Sequence, residues 1–259
     1  MLATRPPTSG GPDEAEWDQK EMPFTEHLRE LRSRLFICVG TVFGIGVLAL
    51  WPAQQLIPII TRTYFHGIKL NAFGPADAVW AIFKFAIYIA IVFGLPVILF
   101  QIWMFVVPAI NPKTRKAVYI YVAPSIVLAA AGIAFAHFLV LPRVIGALLT
   151  ITDTIAQPVF GIESTINLVL LLFLAFALIF QTPVIMILLA RIGLVNSKFL
   201  RTNRKYIGFG MMVVGAVLAP DGSPLTMTLL AAPMYVLFES SIWIIVVLER
   251  SWKRSAVLP

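Results

Sequence analysis

The chain has 259 residues, of which 59% are hydrophobic and 13% charged, and its formal net charge is +7. This composition excludes an ordinary soluble globular protein and predicts an all-α polytopic membrane protein. The basic residues flank apolar segments, which argues against nucleic acid as a partner, and the single cysteine, Cys38, excludes an intramolecular disulfide.

The N-terminal segment is rich in proline, glycine and acidic side chains. Residues 1–21 have too few large apolar side chains to fold alone, so we expect a disordered tail. Acidic residues stand where a secretory leader would be basic, so the first span is expected to be an uncleaved anchor.

The segment MPFTEHLRELRSRL at residues 22–35 predicts an amphipathic helix that leads into the membrane. Its apolar residues recur at steps of three and four on one helical face, and they are Phe24, Leu28, Leu31 and Leu35. Glu26 lies in the first turn, where a negative charge meets the positive end of the helix dipole. The spacing fits both a solvated topology signal and a binding surface.

Six apolar segments predict six transmembrane helices, at residues 35–51, 79–107, 117–141, 166–190, 206–219 and 225–248. We expect the first span to stop at Pro52, and we expect loops at residues 52–78 and 142–165. Pro96 should kink the second span, and the Gln-Thr-Pro sequence at residues 181–183 should interrupt the fourth. The fifth span is only about 20 Å long, which predicts a locally thinned membrane around the last hairpin.

The basic residues predict the orientation of the chain. Sixteen lysines and arginines lie on one side of the predicted spans, and three lie on the other. The positive-inside rule therefore predicts that both termini are cytoplasmic, as an even number of spans requires. Residues 251–259 are then expected to be a short cytoplasmic tail.

Polar residues within the spans are functional candidates, because they are costly in hydrocarbon. Lys84 lies near the outer boundary, where its side chain can reach the interface. Gln181 and Glu239 each lie ten or eleven residues from the cytoplasmic end of their span, so both are expected at roughly 15 Å depth. Such a pair is either purely structural or a polar notch for an incoming helix. The sequence contains no catalytic or metal-ligand motif, so we expect no enzyme activity, metal or cofactor.

Four ordered motifs resemble the TatC family of the twin-arginine protein translocase. They are EMPFTEHLRELRSRL, LPVILFQIWMFVVPAI, FLAFALIFQTPVIMILL and MTLLAAPMYVLFE. The resemblance implies a TatC-like six-helix domain over residues 22–250, in a prokaryotic cytoplasmic (inner) membrane. It also implies a receptor that binds twin-arginine signal peptides at the cytoplasmic face and recruits single-span TatA or TatB subunits. Such a protein exports folded proteins with the proton-motive force, as a homo-oligomer within a complex.

The resemblance assigns signal-peptide binding to Glu30, with Leu31 and Arg32 beside it. A carboxylate suits this role because arginine presents a planar fork of donors to carboxylates. Thr114 occupies the place of the family's usual acid in the loop after the second span. Glu26 or Glu21 is therefore expected to supply the second negative charge.

The predicted partner-docking residues are Gln181 and Glu239, which the matched depth suggests, and Thr226 and Thr228, which follow from the resemblance. Gln181 stands where the family usually has an intramembrane glutamate. Asp221 matches the family's acid in the last outer turn, whereas Met227 stands where a glutamine is usual. The two threonines are the nearest polar substitutes for that glutamine.

A second class of function is a proton-coupled small-solute transporter with Glu239 and Lys84 as an internal relay. A transporter needs these side chains to line a central cavity. A receptor needs Glu30 exposed to the cytosol and Gln181 facing lipid or a partner. An intramembrane enzyme would need a nucleophile and base within the spans, and the sequence offers no recognisable pair.

Overall fold

The computed structural model describes residues 24–65, 68, 70–106, 115–155 and 159–257. The regular structure in these residues is helical, which confirms the all-α prediction. The helices are α1 (Phe24–Phe65), α2 (Asp77–Val106), α3 (Arg115–Phe135), α4 (Leu141–Ile155), α5 (Ile162–Ile179), α6 (Thr182–Arg191), α7 (Ser197–Thr202), α8 (Arg204–Leu218) and α9 (Pro224–Val257). A π-helical turn, Ala136–Val140, joins α3 directly to α4. The predicted tail at residues 1–21 lies outside the described residues.

Five helical segments in the described part of the chain are long and apolar enough to cross a membrane. They are Leu28–Phe65, Asp77–Phe105, Val122–Thr154, Ile162–Arg191 and Pro224–Arg250. The remaining predicted span corresponds to α8, whose 15 residues extend only about 22 Å against a hydrocarbon core of about 30 Å. The chain is thus a polytopic helical membrane protein, and its sixth crossing and the thinned membrane around it stay predictions.

The predicted end of the first span at Pro52 is wrong, because α1 continues to Phe65 with Pro52 and Pro58 inside it. Ala53 and Ile57 are buried against side chains of α2 and α5. Tyr64, one residue before the helix ends, is buried in a second cluster. Packing against neighbouring helices therefore maintains the helix through two prolines, each of which removes one backbone donor.

The predicted loop at residues 142–165 is wrong over most of its length, because residues 141–155 form α4. Leu141, Val144 and Ile145 are fully or almost fully buried, and they share one face of the helix. This face packs into a cluster with Val169 and Leu172 of α5. These apolar residues recur at steps of three and one in the sequence, which places them on one helical face, and burial of that face stabilises α4.

The predicted interruption of the fourth span is confirmed. Helix α5 ends at Ile179 and α6 begins at Thr182, with Phe180 and Gln181 in a turn between them. Pro183 lies at the start of α6, where its missing N–H costs no intrahelical bond. Helix α9 continues through residues 251–257, so this part of the predicted cytoplasmic tail is helical. The side of the membrane on which it lies stays a prediction.

Two glycines allow neighbouring helices to approach each other closely. A Cβ added at Gly132 of α3 would lie 2.4 Å from the carbonyl oxygen of Phe176 on α5. A Cβ added at Gly215 of α8 would lie 2.8 Å from the carbonyl oxygen of Met227 on α9. Both contacts require a residue without a side chain, as is common where membrane helices pack closely.

Two connections meet at one end of the bundle, which we call the distal end. The backbone N–H of Asn71 donates to Phe160, and the N–H of Ile162 donates back to Asn71, which pairs the α1–α2 and α4–α5 connections. The start of α1 and the connection from α6 to α8 lie at the opposite, proximal end.

Candidate functional site

The predicted signal-binding carboxylate, Glu30, is held by an arginine one turn further along α1. Arg34 Nε donates to Glu30 Oε1 at 3.1 Å, and Arg34 Nη2 donates to the same oxygen at 2.5 Å. Residues four apart on a helix share a face, so this pair forms locally. The remaining guanidinium nitrogen, Nη1, donates to Gln101 Oε1 of α2 at 3.0 Å. Glu30 is therefore partly shielded against α2, with 22% of its side chain exposed.

The two residues predicted beside Glu30 point elsewhere. Leu31 and Arg32 are both exposed, and the Arg32 guanidinium lies 5.6 Å from the ring centre of Phe36. Glu26 lies in the first turn of α1, and Thr114 lies outside the described residues. The described part of the predicted site is therefore one helix with Glu30 turned toward α2 and its immediate neighbours turned away.

Arg34 and Gln101 are the members of this site that the sequence analysis missed. A Glu–Arg pair four residues apart is a recognisable helix signal, and an amide inside an apolar span is a recognisable membrane signal. Their meeting depends on how α1 packs on α2.

Gln181 is buried within the helix bundle. Only 1% of the residue is exposed, and Nε2 donates to the backbone carbonyl of Ser125 on α3 at 3.0 Å. The amide oxygen Oε1 is buried and has no hydrogen-bond partner among the described residues. The expectation that Gln181 faces lipid or a partner is therefore not met in this structure.

Glu239 forms an ion pair with a residue from the other side of the last hairpin. Arg204 Nη2 lies 2.8 Å from Glu239 Oε2, and the two side chains are 40% and 22% exposed. Gln181 and Glu239 share no hydrogen bond in the described part of the chain. The hypothesis that they form an amide–carboxylate pair is wrong, because each has a partner on a different helix.

The turn before α9 is organised by Asp221. Its carboxylate accepts hydrogen bonds from the backbone N–H of Ser223 at 3.3 Å, from Ser223 Oγ at 2.7 Å and from Thr226 Oγ1 at 2.8 Å. Partial burial acts to raise the pKa of Asp221, but these donors outweigh it and hold the pKa below its usual value. Thr226 is buried in this network, whereas Thr228 is exposed and its hydroxyl donates to the carbonyl of Pro224.

The two residues of the alternative proton relay lie in separate ion pairs. Lys84 Nζ is 2.5 Å from Glu163 Oε1 on α5, whereas Glu239 pairs with Arg204. A cavity of about 480 Å³ between α1 and α2 is lined by apolar side chains and Cys38, and by neither relay residue. No specific feature of the described residues thus favours a transporter. Those residues also contain no group of three or more His, Cys, Asp or Glu side chains that could hold a metal ion.

Comparison with known proteins gives the family. Residues 26–233 match the family profile of the Sec-independent protein translocase protein TatC. The chain is 35% identical over 228 residues to TatC of Azotobacter chroococcum mcd 1, covering 86% of this chain and 89% of the relative. It is 34% identical over 226 residues to TatCy of Bacillus subtilis strain 168, with the same coverage of 86% and 89%.

A solved structure agrees with the sequence relatives. The crystal structure of the twin-arginine translocase receptor TatC in DDM superposes with a TM-score of 0.76 at 30% identity, covering 85% of this chain and 99% of that chain. Profile, relatives and fold are thus concordant over most of the chain. The chain belongs to the TatC family, and it is a membrane-embedded subunit of the twin-arginine protein translocase.

Proposed function

We propose that this protein is the translocase receptor for twin-arginine signal peptides and that Glu30 is the anchor for a signal arginine. The observation that carries the proposal is the bond between Glu30 and Arg34, in which one carboxylate oxygen accepts two N–H groups of a guanidinium. A carboxylate that already accepts a forked guanidinium has the geometry to accept one from a ligand. Its position near the start of α1 makes it reachable from the aqueous side.

The other proposed contacts extend this anchor along α1. Glu26 precedes Glu30 by four residues, a spacing at which two positions share one face of a helix, so we assign the second signal arginine to Glu26. Leu31 and Arg32 are the neighbouring contacts, and Thr114 of the following loop is the polar contact in place of an acid. Exposed Leu31 offers an apolar surface for the hydrophobic part of a signal peptide.

The proposed orientation puts the proximal end and both termini in the cytoplasm of a prokaryotic cell. Sixteen basic residues flank the spans on this side, and three flank them on the other. With α8 counted as a short span, the chain crosses the inner membrane six times. Signal peptides then reach Glu30 from the side on which precursors fold.

We further propose that single-span TatA or TatB subunits dock on the side of the last hairpin, within a homo-oligomeric complex. Helix α8 carries an exposed apolar stripe, formed by Tyr206, Phe209, Val213 and Val217. Thr228 is exposed nearby on α9, and Glu239 is half-buried with Arg204. Thr226 supports this side of the bundle from a buried position in the turn before α9, whereas Gln181 acts from inside the bundle, where it bonds to α3. The complex uses the proton-motive force to export folded proteins.

The receptor proposal is tested by binding a labelled twin-arginine signal peptide to the full-length protein in detergent. Glu30→Gln and a twin-lysine peptide should each weaken binding at least tenfold, about 1.4 kcal/mol. The variant removes the carboxylate that accepts the bonds, and the lysine peptide removes the guanidinium that donates them. Asp153→Asn is the control, since Asp153 is an exposed acid on α4. Equal binding by wild type and Glu30→Gln, and equal binding of the twin-arginine and twin-lysine peptides, would refute the proposal.

Partner docking is tested by disulfide crosslinking to a single-span subunit that carries one cysteine. Cys38 is the single native cysteine, so a Cys38→Ala background removes competing thiols. A cysteine at Val213 or Val217 should crosslink to the partner, whereas one at Leu48, an exposed position on α1, should not. Equal crosslinking at all three positions would contradict a specific docking face.

A further inference from the structure

Arg34 occupies the carboxylate that the proposed function assigns to the signal peptide. It is bound through two of its nitrogens to one Glu30 oxygen, and the two side chains are only 16% and 22% exposed. Much of the surrounding surface of α1 is exposed, including Leu31 and Leu35. Because less than a quarter of either side chain is exposed, solvent screens this pair less than it screens an ordinary surface ion pair.

Gln101 gives the Arg34 guanidinium a second place to bind. Its amide oxygen accepts from Arg34 Nη1 at 3.0 Å, and it projects from α2. When Glu30 exchanges Arg34 for another cation, the guanidinium keeps this neutral acceptor. Exchange then releases one charge-assisted contact without leaving a buried arginine unpaired, which would be costly.

The charges of Glu30 and Arg34 favour a cationic ligand that displaces Arg34 over one that binds beside the intact pair. Glu30 and Arg34 carry opposite charges and neutralise each other. A ligand with two adjacent positive charges gains little from a carboxylate that is already neutralised. It gains a full ion pair when it displaces Arg34 from Glu30.

We infer that Arg34 is an internal guanidinium that competes with the first signal arginine for Glu30 and so lowers the receptor's apparent affinity for signal peptides. This inference rests on the proposed receptor function. An arginine of the ligand can make the same two N–H bonds to Glu30 that Arg34 makes, so it replaces Arg34 directly. Occupation of Glu30 by Arg34 reduces the apparent affinity of every ligand that needs Glu30 by the same factor. Arg34 accordingly sets the affinity, whereas the difference between arginine and lysine ligands comes from their own contacts with Glu30.

The test is a titration of twin-arginine and twin-lysine peptides on the full-length protein in detergent. If Arg34 occupies Glu30 about 90% of the time, its removal should tighten binding about tenfold. Arg34→Gln should therefore bind the twin-arginine peptide about tenfold more tightly than the wild type. The twin-lysine peptide should gain by the same factor, because Arg34 competes equally with either ligand, so discrimination between the two peptides stays unchanged.

Arg29→Gln is the matched control, because it removes the same charge from an exposed position on the same helix. A gain that came only from the lower net charge would appear equally in Arg29→Gln and would overturn the inference. Arg34→Lys retains the charge but loses the fork, so its affinity should lie between those of the wild type and Arg34→Gln. If Arg34→Gln fails to fold, tighter binding by Arg34→Lys than by the wild type supports the inference, and equal or weaker binding overturns it.

Two failures are distinguishable. If Glu30→Gln weakens binding but Arg34→Gln binds at wild-type strength or more weakly, the receptor proposal stands and competition by Arg34 is refuted. If wild type and Glu30→Gln bind both peptides alike, the receptor proposal itself is refuted, and this inference with it.

Discussion

Arg204 Nη2 lies 2.8 Å from Glu239 Oε2, which joins the first residue of α8 to the middle of α9. Arg204 Nε and Glu239 Oε1 are both buried without a hydrogen-bond partner among the described residues, so the pair is held by one bond where two are possible. The acid in the last span is thereby neutralised by a basic residue of the preceding connection. This pairing explains how a carboxylate is tolerated in an apolar helix.

A double-mutant cycle on this pair measures its contribution. Arg204→Gln and Glu239→Gln should each lower the thermal stability of the purified protein, and the double variant should lose less than the sum of the two. We expect a coupling free energy of about 0.5–1 kcal/mol, because Arg204 is substantially exposed and solvent screens the pair. Strictly additive effects would mean that the ion pair contributes nothing.

The buried side chain of Gln181 should tolerate an apolar residue of similar length. Gln181→Met removes the bond to Ser125 but also removes the unpartnered oxygen, so the two effects offset and stability should change by less than about 1.5 kcal/mol. Gln181→Ala leaves a cavity and should cost about 2–4 kcal/mol. Thermal unfolding in detergent compares the two variants, and equal losses would contradict this account.

The close approach of α8 to α9 depends on Gly215. Gly215→Ala places a Cβ about 2.8 Å from a backbone carbonyl of α9, which cannot rotate away, and should destabilise the protein by about 1–3 kcal/mol. Gly210→Ala on the same helix is the control, because no atom lies within 4 Å of its added Cβ. The control should be neutral or slightly stabilising, since alanine favours helix more than glycine does. Similar losses in both variants would show that the contact between Gly215 and α9 is not the cause.

The stability contributed by Asp221 should depend on pH. Its pKa is lower in the folded protein than the unperturbed value of 3.8, so the ionised form stabilises the fold above that value. This stabilisation is lost as the pH falls through the folded pKa. Asp221→Asn should therefore be less stable than wild type at pH 7, by about 1 kcal/mol, and the difference should shrink below about pH 3.8. Unfolding curves across this range test the prediction, and a difference that grows in acid would refute it.

Much of the fold was predictable because hydrophobicity and helical spacing are local properties of a sequence. Apolar segments predicted the helical class, and the Gln-Thr-Pro sequence at 181–183 predicted the interruption between α5 and α6. The prediction failed at Pro52 and at residues 142–155. In both places the local sequence favours the end of a helix or a loop, whereas contacts with helices distant in the sequence stabilise a continuous helix.

The membrane class, the TatC family and the candidate acid Glu30 were predictable from the sequence, since each depends on residues close together in the chain. Which side chains meet is a property of the packed bundle. Arg34 reaches Gln101 across 67 positions, Arg204 reaches Glu239 across 35, and Gln181 turns inward to Ser125. These contacts depend on the relative rotation and register of packed helices, which arise from the burial of many side chains at once and which no single segment encodes.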